Sequence, residues 1–262
     1  MPFQPPGAVT RPGLFITGTD TGVGKTLVAC AIADSLATTR RVGVCKPFAT
    51  GCQRDQAGQL VHDDAQALAR AARCQHPADI VSPIRFTDAL APAVASEVTD
   101  VAIDWPALNH ALNVLNHASD LMLVEGVGGV MVPLDADQPT FTVRDLIACL
   151  ALPAVVVTRA GLGTLNHTAM TVHLLREVGC RIAGLVINEH GLATDDGDAS
   201  PAHNPRWLER MTGLPILATL PDPGRVAEAG AGRGGIPDPV RRTIGTVDWM
   251  SLMEPKDAVE GV

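Results

Sequence analysis

The run GTDTGVGKT at residues 18–26 carries the residue types of a phosphate-binding loop. Its glycines let backbone N–H groups turn inward onto phosphate oxygens, and a helix N-terminus adds partial positive charge. Lys25 can reach the β and γ phosphates of a nucleoside triphosphate, and the Thr26 hydroxyl can ligate magnesium. The usual spacing has a glycine five residues before Gly24, where this chain has Thr19. A chance GKT at a glycine-rich helix start is the weaker alternative, because strand-like and helix-like segments flank the run.

Two further apolar runs end in side chains that could act on a phosphate. Lys46 and Thr50 lie in CKPFATG, where the lysine is either a solvated loop residue or a second cation on a transferring phosphoryl group. Beside a phosphate loop the second interpretation is favoured, because this chemistry depends on positioning and charge neutralisation. Glu125 ends the run LMLVE. A buried carboxylate is costly without a partner, so we expect Glu125 to ligate magnesium.

Other candidate positions allow two interpretations. Asp63 and Asp64 open a helix-like stretch, where acidic residues either stabilise the helix start or ligate magnesium. Asn188 ends the run RIAGLVIN and is either a turn residue or a reader of a nucleobase edge through its amide. His167, in the loop-to-helix run GLGTLNHT, is interpreted as a helix-surface residue.

The elements that must position these residues alternate between strands and helices. Apolar runs predict strands at 14–18, 42–47, 120–126, 153–159, 181–188 and 214–221. Helical periodicity predicts helices at 25–38, 64–73, 104–118 and 165–178. Strands that are apolar throughout indicate a mainly parallel sheet covered on both faces, which is a doubly wound α/β fold of the P-loop NTPase type. In such a sheet, ligands collect at the carboxyl ends of the strands.

The domain organisation follows from length and from the irregular segments. We expect one α/β domain over residues 1–235 and a C-terminal extension of uncertain structure over 236–262. The run GLATDDGDASPAHNP at 191–205 is predicted to be a polar loop, and 221–239 is rich in Gly and Pro.

Composition narrows the function classes. The 262 residues carry a net charge of -8 and include no tyrosine, which argues against a nucleic-acid surface. No apolar run reaches the ~20 residues of a bilayer span, so we expect a cytoplasmic protein without a membrane partner. Six scattered cysteines without a C-x-x-C pair predict reduced core thiols rather than disulfides or a zinc site.

The motifs, in this order, resemble the dethiobiotin synthetase family, whose members are ATP-dependent ligases that close the ureido ring in biotin biosynthesis. The resemblance covers residues 15–222 and is carried by GTDTGVGKT, KPFATG, VEGVGG, GLGTLNH and VIN. The displaced first glycine of the phosphate loop is itself a habit of this family.

The resemblance implies a role for each matching residue. Lys25 and Lys46 are the expected catalytic residues. The substrate-binding residues are expected to be Thr50, Gly161, Gly163 and Asn166, with the segment 161–166 reaching the substrate across a homodimer interface. The nucleotide-binding set is expected to be Gly22, Val23, Gly24, Lys25, Thr26, Leu27, Asp64, Glu125, Gly126, Val127, Gly128, Asn188, Pro221 and Asp222. The expected magnesium ligands are Thr26, Asp64 and Glu125, where a shift of one residue in the alignment would exchange Asp64 for Asp63.

The implied substrates are 7,8-diaminopelargonate, CO₂ and ATP with Mg²⁺. One amine takes up CO₂ as a carbamate, the carbamate attacks the γ-phosphate, and the second amine displaces phosphate and closes the ring. A cobyrinate-type amide ligase is less favoured, since no glutaminase segment with a nucleophilic cysteine follows. A partition-type ATPase is less favoured because its loop commonly has an extra lysine near its start, where this chain has Thr19, Asp20 and Thr21.

Overall fold

A computed structural model describes residues 3–189, 197–222 and 235–254 and contains one large parallel sheet. The elements in chain order are β1 (Gly13–Gly18), α1 (Lys25–Leu36), β2 (Val42–Cys45), β3 (Phe48–Thr50), β4 (Gln53–Arg54), β5 (Leu60–Val61), α2 (Asp63–Ala71), α3 (Ala78–Val81), β6 (Ile84–Phe86), α4 (Pro92–Thr99), α5 (Trp105–Ala118), β7 (Leu121–Glu125), α6 (Val143–Leu150), β8 (Ala154–Arg159), α7 (Thr164–Glu177), β9 (Ile182–Asn188), α8 (Ser200–Thr212), β10 (Ile216–Leu220), α9 (Asp238–Ile244) and α10 (Trp249–Met253).

The large sheet has six strands in the order β10-β9-β8-β1-β7-β2, and all its pairings are parallel. Its central strand β1 places Ile16 opposite Glu125 of β7 and opposite Val155 of β8. Two small sheets pair β3 with β6 and β4 with β5. The six predicted strands are the six strands of the large sheet, so the doubly wound α/β prediction is confirmed.

Helices cover both faces of the sheet because every strand is apolar on both sides. Successive residues of a strand point to opposite faces. Leu14 and Ile16 of β1 accordingly belong to the core that includes Ile32 of α1, whereas Phe15 belongs to the opposite core, which includes Leu108 of α5. The two closely packed layers leave only the edges of the sheet for loops.

The carboxyl ends of β2, β7 and β1 lie side by side, since these strands are neighbours in the sheet. Strand β2 ends at Cys45, so Lys46 is the first residue beyond it, and β7 ends on Glu125 itself. Strand β1 leads directly into the loop before Lys25. The topology therefore brings three residues that are distant in sequence to one edge.

The structure corrects the predicted loop at 191–205. Helix α8 begins at Ser200, so the loop prediction is wrong from that residue onward, and residues 190–196 lie outside the described part. The prolines in this run suggested a loop, but Pro201 is in the first helical turn, where a missing backbone N–H removes no helical hydrogen bond. Leu208, four residues after the run SPAHN, is fully buried in the core that also includes Phe15.

Two short helices follow the Gly- and Pro-rich segment, of which residues 223–234 lie outside the described part. Trp249 of α10 is 2% exposed, and its indole N–H donates to the backbone oxygen of Ile244 at 2.9 Å. Arg241 of α9 pairs with Asp34 of α1 at 3.0 Å. These helices belong to the same core as α1. They are too short to show a clear sequence period, and the domain boundary at 235 stays a prediction.

Two further expectations concern membranes and thiols. No helix within the described ranges is long and apolar enough to cross a bilayer. All six cysteines are unpaired, as predicted, and Cys30, Cys45 and Cys52 are buried. Burial raises the pKa of the Cys30 thiol to about 12, which keeps it protonated at neutral pH.

Candidate active site

The predicted phosphate loop, residues 19–24, connects β1 to the first turn of α1. Gly22 and Gly24 have φ angles of 72° and 96°, in the left-handed region that favours glycine. A Cβ atom on Gly24 would lie 2.1 Å from the Asn188 side-chain nitrogen, so this position also lacks room for a side chain. Lys25, directly after Gly24, begins the helix and donates from Nζ to the backbone oxygen of Asp20 at 2.8 Å.

A cluster of four side chains lies beside this loop. Lys46 Nζ donates to Glu125 Oε1 at 2.6 Å and to Asp64 Oδ2 at 3.1 Å. Thr26 Oγ1 donates to the same oxygen of Glu125 at 2.6 Å. Lys46 and Glu125 are 5% and 1% exposed, so this ion pair is shielded from bulk water. We call these four residues the lysine–carboxylate cluster.

The lysine–carboxylate cluster suits a magnesium ion that is also bound by phosphates. Glu125 Oε2 is buried and has no hydrogen-bond partner among the described residues. Carboxylate and hydroxyl oxygens are hard ligands of the kind Mg²⁺ prefers, and this ion usually takes only one or two carboxylates in nucleotide sites. The described residues contain no group of three or more His, Cys, Asp or Glu that could hold a metal without such a ligand. The donor set therefore fits a metal bound together with a nucleotide.

The electrostatics of the site differ between Lys46 of the cluster and Lys25 of the phosphate loop. Burial lowers the pKa of Lys25 to about 8, against the opposing attraction of Glu125. Burial also disfavours the charged form of Lys46, but Glu125 and Asp64 outweigh it and hold the pKa of Lys46 above its ordinary value. Burial acts to raise the pKa of the Asp64 carboxyl, yet Lys46 holds it below the ordinary value. Within the described part of the chain, Lys25 thus lacks a direct carboxylate partner, and a bound phosphate can supply the missing negative charge.

A cavity of about 320 Å³ collects most of the predicted site. It is lined by Thr21, Gly22, Gly24, Lys25, Thr26, Lys46, Phe48, Thr50, His62, Asp64, Glu125, Gly126, Val127 and Gly128. Asp64 lines this cavity, whereas Asp63 is exposed and does not. Sequence reasoning missed Thr21, Phe48 and His62. For His62 the available signal was its position directly before the two aspartates of the run HDD, at the start of α2.

The residues expected to bind the nucleobase do not line this cavity and lie behind the phosphate loop. Asn188, 4% exposed at the end of β9, donates from Nδ2 to the backbone oxygen of Val23 at 3.0 Å. Pro221 and the buried Asp222 follow β10, whose Leu220 is in register with Asn188. Leu27, by contrast, lies within α1 and is packed against the core. Asn188, Pro221 and Asp222 therefore lie at the carboxyl ends of two neighbouring strands, β9 and β10.

The predicted substrate segment 161–166 also lies outside the cavity of its own chain. Gly163 has a φ of 92° and precedes the first residue of α7, and Asn166 is exposed on that helix. Gly161 is half-buried, and Leu162 beside it is 89% exposed. The structure thus does not bring Gly161, Gly163 or Asn166 to Thr50, the fourth expected substrate residue.

Comparison with known proteins places the chain in a family. The family description AAA domain matches residues 12–229. An ATP-dependent dethiobiotin synthetase of Anaeromyxobacter dehalogenans (strain 2CP-C) is 40% identical over 211 residues, which are 80% of this chain and 89% of that relative. One of Thermodesulfovibrio yellowstonii is 38% identical over 216 residues, again 80% and 89% of the two chains. One of Bacillus subtilis (strain 168) is 36% identical over 213 residues, or 80% and 87%.

The chain belongs to the ATP-dependent dethiobiotin synthetase family. The resemblance predicted from the motifs is thereby confirmed.

Solved structures support the fold alone. A ParA family ATPase from Chlorobium tepidum TLS aligns with a TM-score of 0.52 at 14% identity, over 92% of this chain and 99% of that chain. A single-residue variant of Cyanothece McdA in complex with ATP aligns with a TM-score of 0.53 at 13% identity, over 95% and 99%. The much higher sequence identity to dethiobiotin synthetases decides against the partition-type interpretation.

Proposed function

We propose that this chain uses ATP and Mg²⁺ to convert 7,8-diaminopelargonate and CO₂ into dethiobiotin. The observation that carries the proposal is the lysine–carboxylate cluster, in which Lys46 bridges Glu125 and Asp64 beside the phosphate loop of a dethiobiotin synthetase family member. Two lysines and two carboxylates at one edge of the sheet match a reaction that joins an anionic nucleophile to an anionic phosphate.

The nucleotide is proposed to bind with its phosphates on the loop of residues 19–24 and the start of α1. Lys25 supplies one cation, and Thr26, Asp64 and Glu125 would hold Mg²⁺. When bound, the metal supplies positive charge to the phosphate oxygens and so reduces their repulsion of an incoming anion. Asn188, which already contacts the loop through Val23, lies on the proposed base side with Pro221 and Asp222.

In the first half of the proposed reaction, one amine adds to CO₂ and loses a proton, which gives a carbamate. A carbamate oxygen then forms a bond to the γ-phosphorus while the bond from that phosphorus to the β-γ bridging oxygen breaks. ADP leaves with the electron pair. Lys25 and Lys46 offset the combined negative charge of the carbamate and the phosphate, because both lysines line the same cavity.

In the second half, the other amine attacks the carbonyl carbon of the carbamic-phosphoric anhydride. The bond from that carbon to the phosphate oxygen breaks, phosphate leaves with the electron pair, and the amine loses a proton as the ureido ring closes. Holding both amines near one carbon makes this step intramolecular, which removes most of its entropic barrier. Thr50 at the cavity wall is proposed to orient the diamine through its hydroxyl.

The finer statements on assembly are part of the same proposal. A homodimer in which residues 161–166 of one subunit complete the other subunit's cavity accounts for a predicted substrate segment that lies outside its own cavity. A cytoplasmic location follows from the use of ATP as substrate.

The proposal is tested by measuring phosphate release from ATP and Mg²⁺ with and without 7,8-diaminopelargonate and bicarbonate, while dethiobiotin is followed by mass spectrometry. We expect product only when all components are present. ATP turnover that is indifferent to the diamine would leave the phosphate loop assigned and would reject the proposed substrate.

A further inference from the structure

His62 lines the active-site cavity between β5 and α2, and neither sequence reasoning nor the proposed reaction gives it a role. Its ring nitrogen Nε2 is 3.1 Å from the backbone oxygen of Thr50. Its other nitrogen, Nδ1, accepts a hydrogen bond from the backbone N–H of Asp64 at 3.2 Å. A carbonyl oxygen only accepts and an amide N–H only donates, so in these two contacts Nε2 is the donor and Nδ1 is the acceptor.

The two contacts of His62 connect two parts of the cavity wall, at Thr50 and at Asp64. Along the chain, these parts are joined only by residues 51–61, a largely exposed segment that we call the excursion. Residues 51–61 leave β3 at Thr50 and return through β4 and β5, which are two residues long each. Strands of this length have little stability of their own. The excursion is also held by Arg85, which donates to the backbone oxygen of Leu60 at 2.8 Å. Among these contacts, the one through His62 joins the end of β3 directly to the first turn of α2.

We propose that His62 is a positioning residue that fixes the separation between Thr50 on the diamine side of the cavity and Asp64 on the magnesium side. Its Nδ1 contact caps α2 and orients the first turn that carries Asp64. Its Nε2 contact holds the backbone of Thr50 at the same wall. The inference rests on the proposed function only where it names the diamine as the ligand on the Thr50 side.

The two contacts can be separated by substitutions that keep one nitrogen position each. In His62→Asn, the shorter amide reaches the position of Nδ1 and remains a favoured helix cap, but it cannot reach Thr50. In His62→Gln, the longer amide reaches the position of Nε2 and can donate to Thr50, but glutamine is a poor cap. His62→Ala removes both contacts. His110→Asn, on the exposed side of α5, is the matched control for replacing a histidine.

Two measurements on the intact protein distinguish the magnesium side of the cavity from the diamine side. The first is the Mg²⁺ concentration at half-maximal ATP binding, measured by calorimetry without diamine. The second is the KM for the diamine, measured from dethiobiotin formation. For His62→Asn we expect an unchanged Mg²⁺ requirement and a diamine KM that rises severalfold. For His62→Gln we expect the Mg²⁺ requirement to rise about threefold to tenfold, as for a lost helix cap, with a diamine KM near that of the unsubstituted protein.

His62→Ala should change both quantities and His110→Asn neither. A merely structural role would instead shift both quantities together in the Asn and Gln variants, and that result would overturn the proposal. An unchanged diamine KM in His62→Asn would overturn it as well. If the unsubstituted protein makes no dethiobiotin, the proposed function fails, whereas the Mg²⁺ requirements of the Asn and Gln variants still decide the role of His62.

Discussion

At the scale of single residues, one carboxylate oxygen organises the cluster. Glu125 Oε1 accepts hydrogen bonds from Thr26 and from Lys46, so the two donors meet at a single atom. Glu125 Oε2 remains without a partner among the described residues. A carboxylate arranged in this way can exchange a lysine contact for a metal contact without moving its backbone, which stands at the end of a fully buried strand.

Lys25→Ala is predicted to abolish nucleotide turnover while the fold is retained. The substitution removes a cation from the phosphate site, and the loss of one such group lowers turnover by about 100-fold or more. ATP binding by calorimetry and phosphate release measure the effect, with circular dichroism as the control for folding. An unchanged turnover rate would reject the phosphate role of Lys25.

Asp64→Asn is predicted to raise the Mg²⁺ requirement of the reaction, whereas Asp63→Asn should leave it within about twofold. Asp64 lies 3.1 Å from Lys46 at the cavity wall, but the neighbouring Asp63 is exposed. Both variants remove one negative charge from the same helix turn, so they share any effect on the helix dipole. Magnesium titrations of ATP turnover compare them, and equal responses would contradict the ligand assignment of Asp64.

Some residues of the candidate site can be predicted from the sequence, and others cannot. Lys25, Lys46 and Glu125 could be predicted because each stands directly at the end of an apolar run or of the loop that follows one. The choice between Asp63 and Asp64 could not be predicted with certainty. Adjacent helical residues point about 100° apart, so a shift of one residue decides which carboxylate faces the cavity. His62 could not be predicted, because its role depends on a contact with Thr50 across a fold of the chain.

At the scale of elements, the phosphate loop is shaped by its glycines and by the strand behind it. Gly24→Ala is predicted to disrupt nucleotide binding far more than Gly22→Ala. Both residues have positive φ angles, so both substitutions carry a backbone cost of about 1 kcal/mol. Only at Gly24 would the added Cβ meet the buried amide of Asn188, whereas at Gly22 it meets no atom within 4 Å.

ATP affinity measured for both variants by calorimetry tests this difference. Equal losses of affinity would show that backbone conformation alone limits the loop. Such a result would also mean that the Asn188 side chain moves to make room for the alanine methyl group, although its Nδ2 donates a hydrogen bond to the Val23 backbone oxygen.

Trp249→Ala is predicted to destabilise the protein by about 3–5 kcal/mol, the range for a buried aromatic side chain. Trp249 is 2% exposed in the core beneath α1. Trp207→Ala is the matched control, since Trp207 is 46% exposed and contacts Arg210 on the surface. That control should lose about 1 kcal/mol or less. Urea unfolding of both variants measures the difference, and similar losses would contradict the packing of α10.

The elements themselves were predictable to different degrees. The strands of the large sheet were visible because buried parallel strands are apolar along their whole length. Strands β3 to β6 were missed, since two or three residues show no period. Helix α8 was not predicted, because Pro201 and Pro205 are residues that usually indicate a loop.

At the scale of the whole molecule, the cavity of one chain contains the phosphate-side residues and Thr50 but not the predicted segment 161–166. A homodimer with shared sites leads to a prediction by complementation. Lys25→Ala and Asn166→Ala proteins should each be inactive alone, and mixing them should restore part of the activity. In a mixed dimer, one of the two sites then combines an intact Lys25 with an intact Asn166.

Dethiobiotin formation by the mixture, after subunit exchange, is the measurement. Mixing two preparations of the same variant is the control and should restore nothing. Failure of the mixed sample, despite exchange shown by mass spectrometry, would reject a site shared between subunits.

The packing of α9 against α1, with α10 in the same core, also has a consequence for the order of events during synthesis. Helix α1 carries Lys25 at its start, and its core face is shared with Val240 and Trp249 from the last described helices. Domains fold as the chain emerges from the ribosome, amino-terminal parts first. Here α1, which begins the nucleotide site, emerges before α9 and α10, which share its core. The nascent chain therefore lacks the contact of Arg241 with Asp34 of α1 until α9 has emerged.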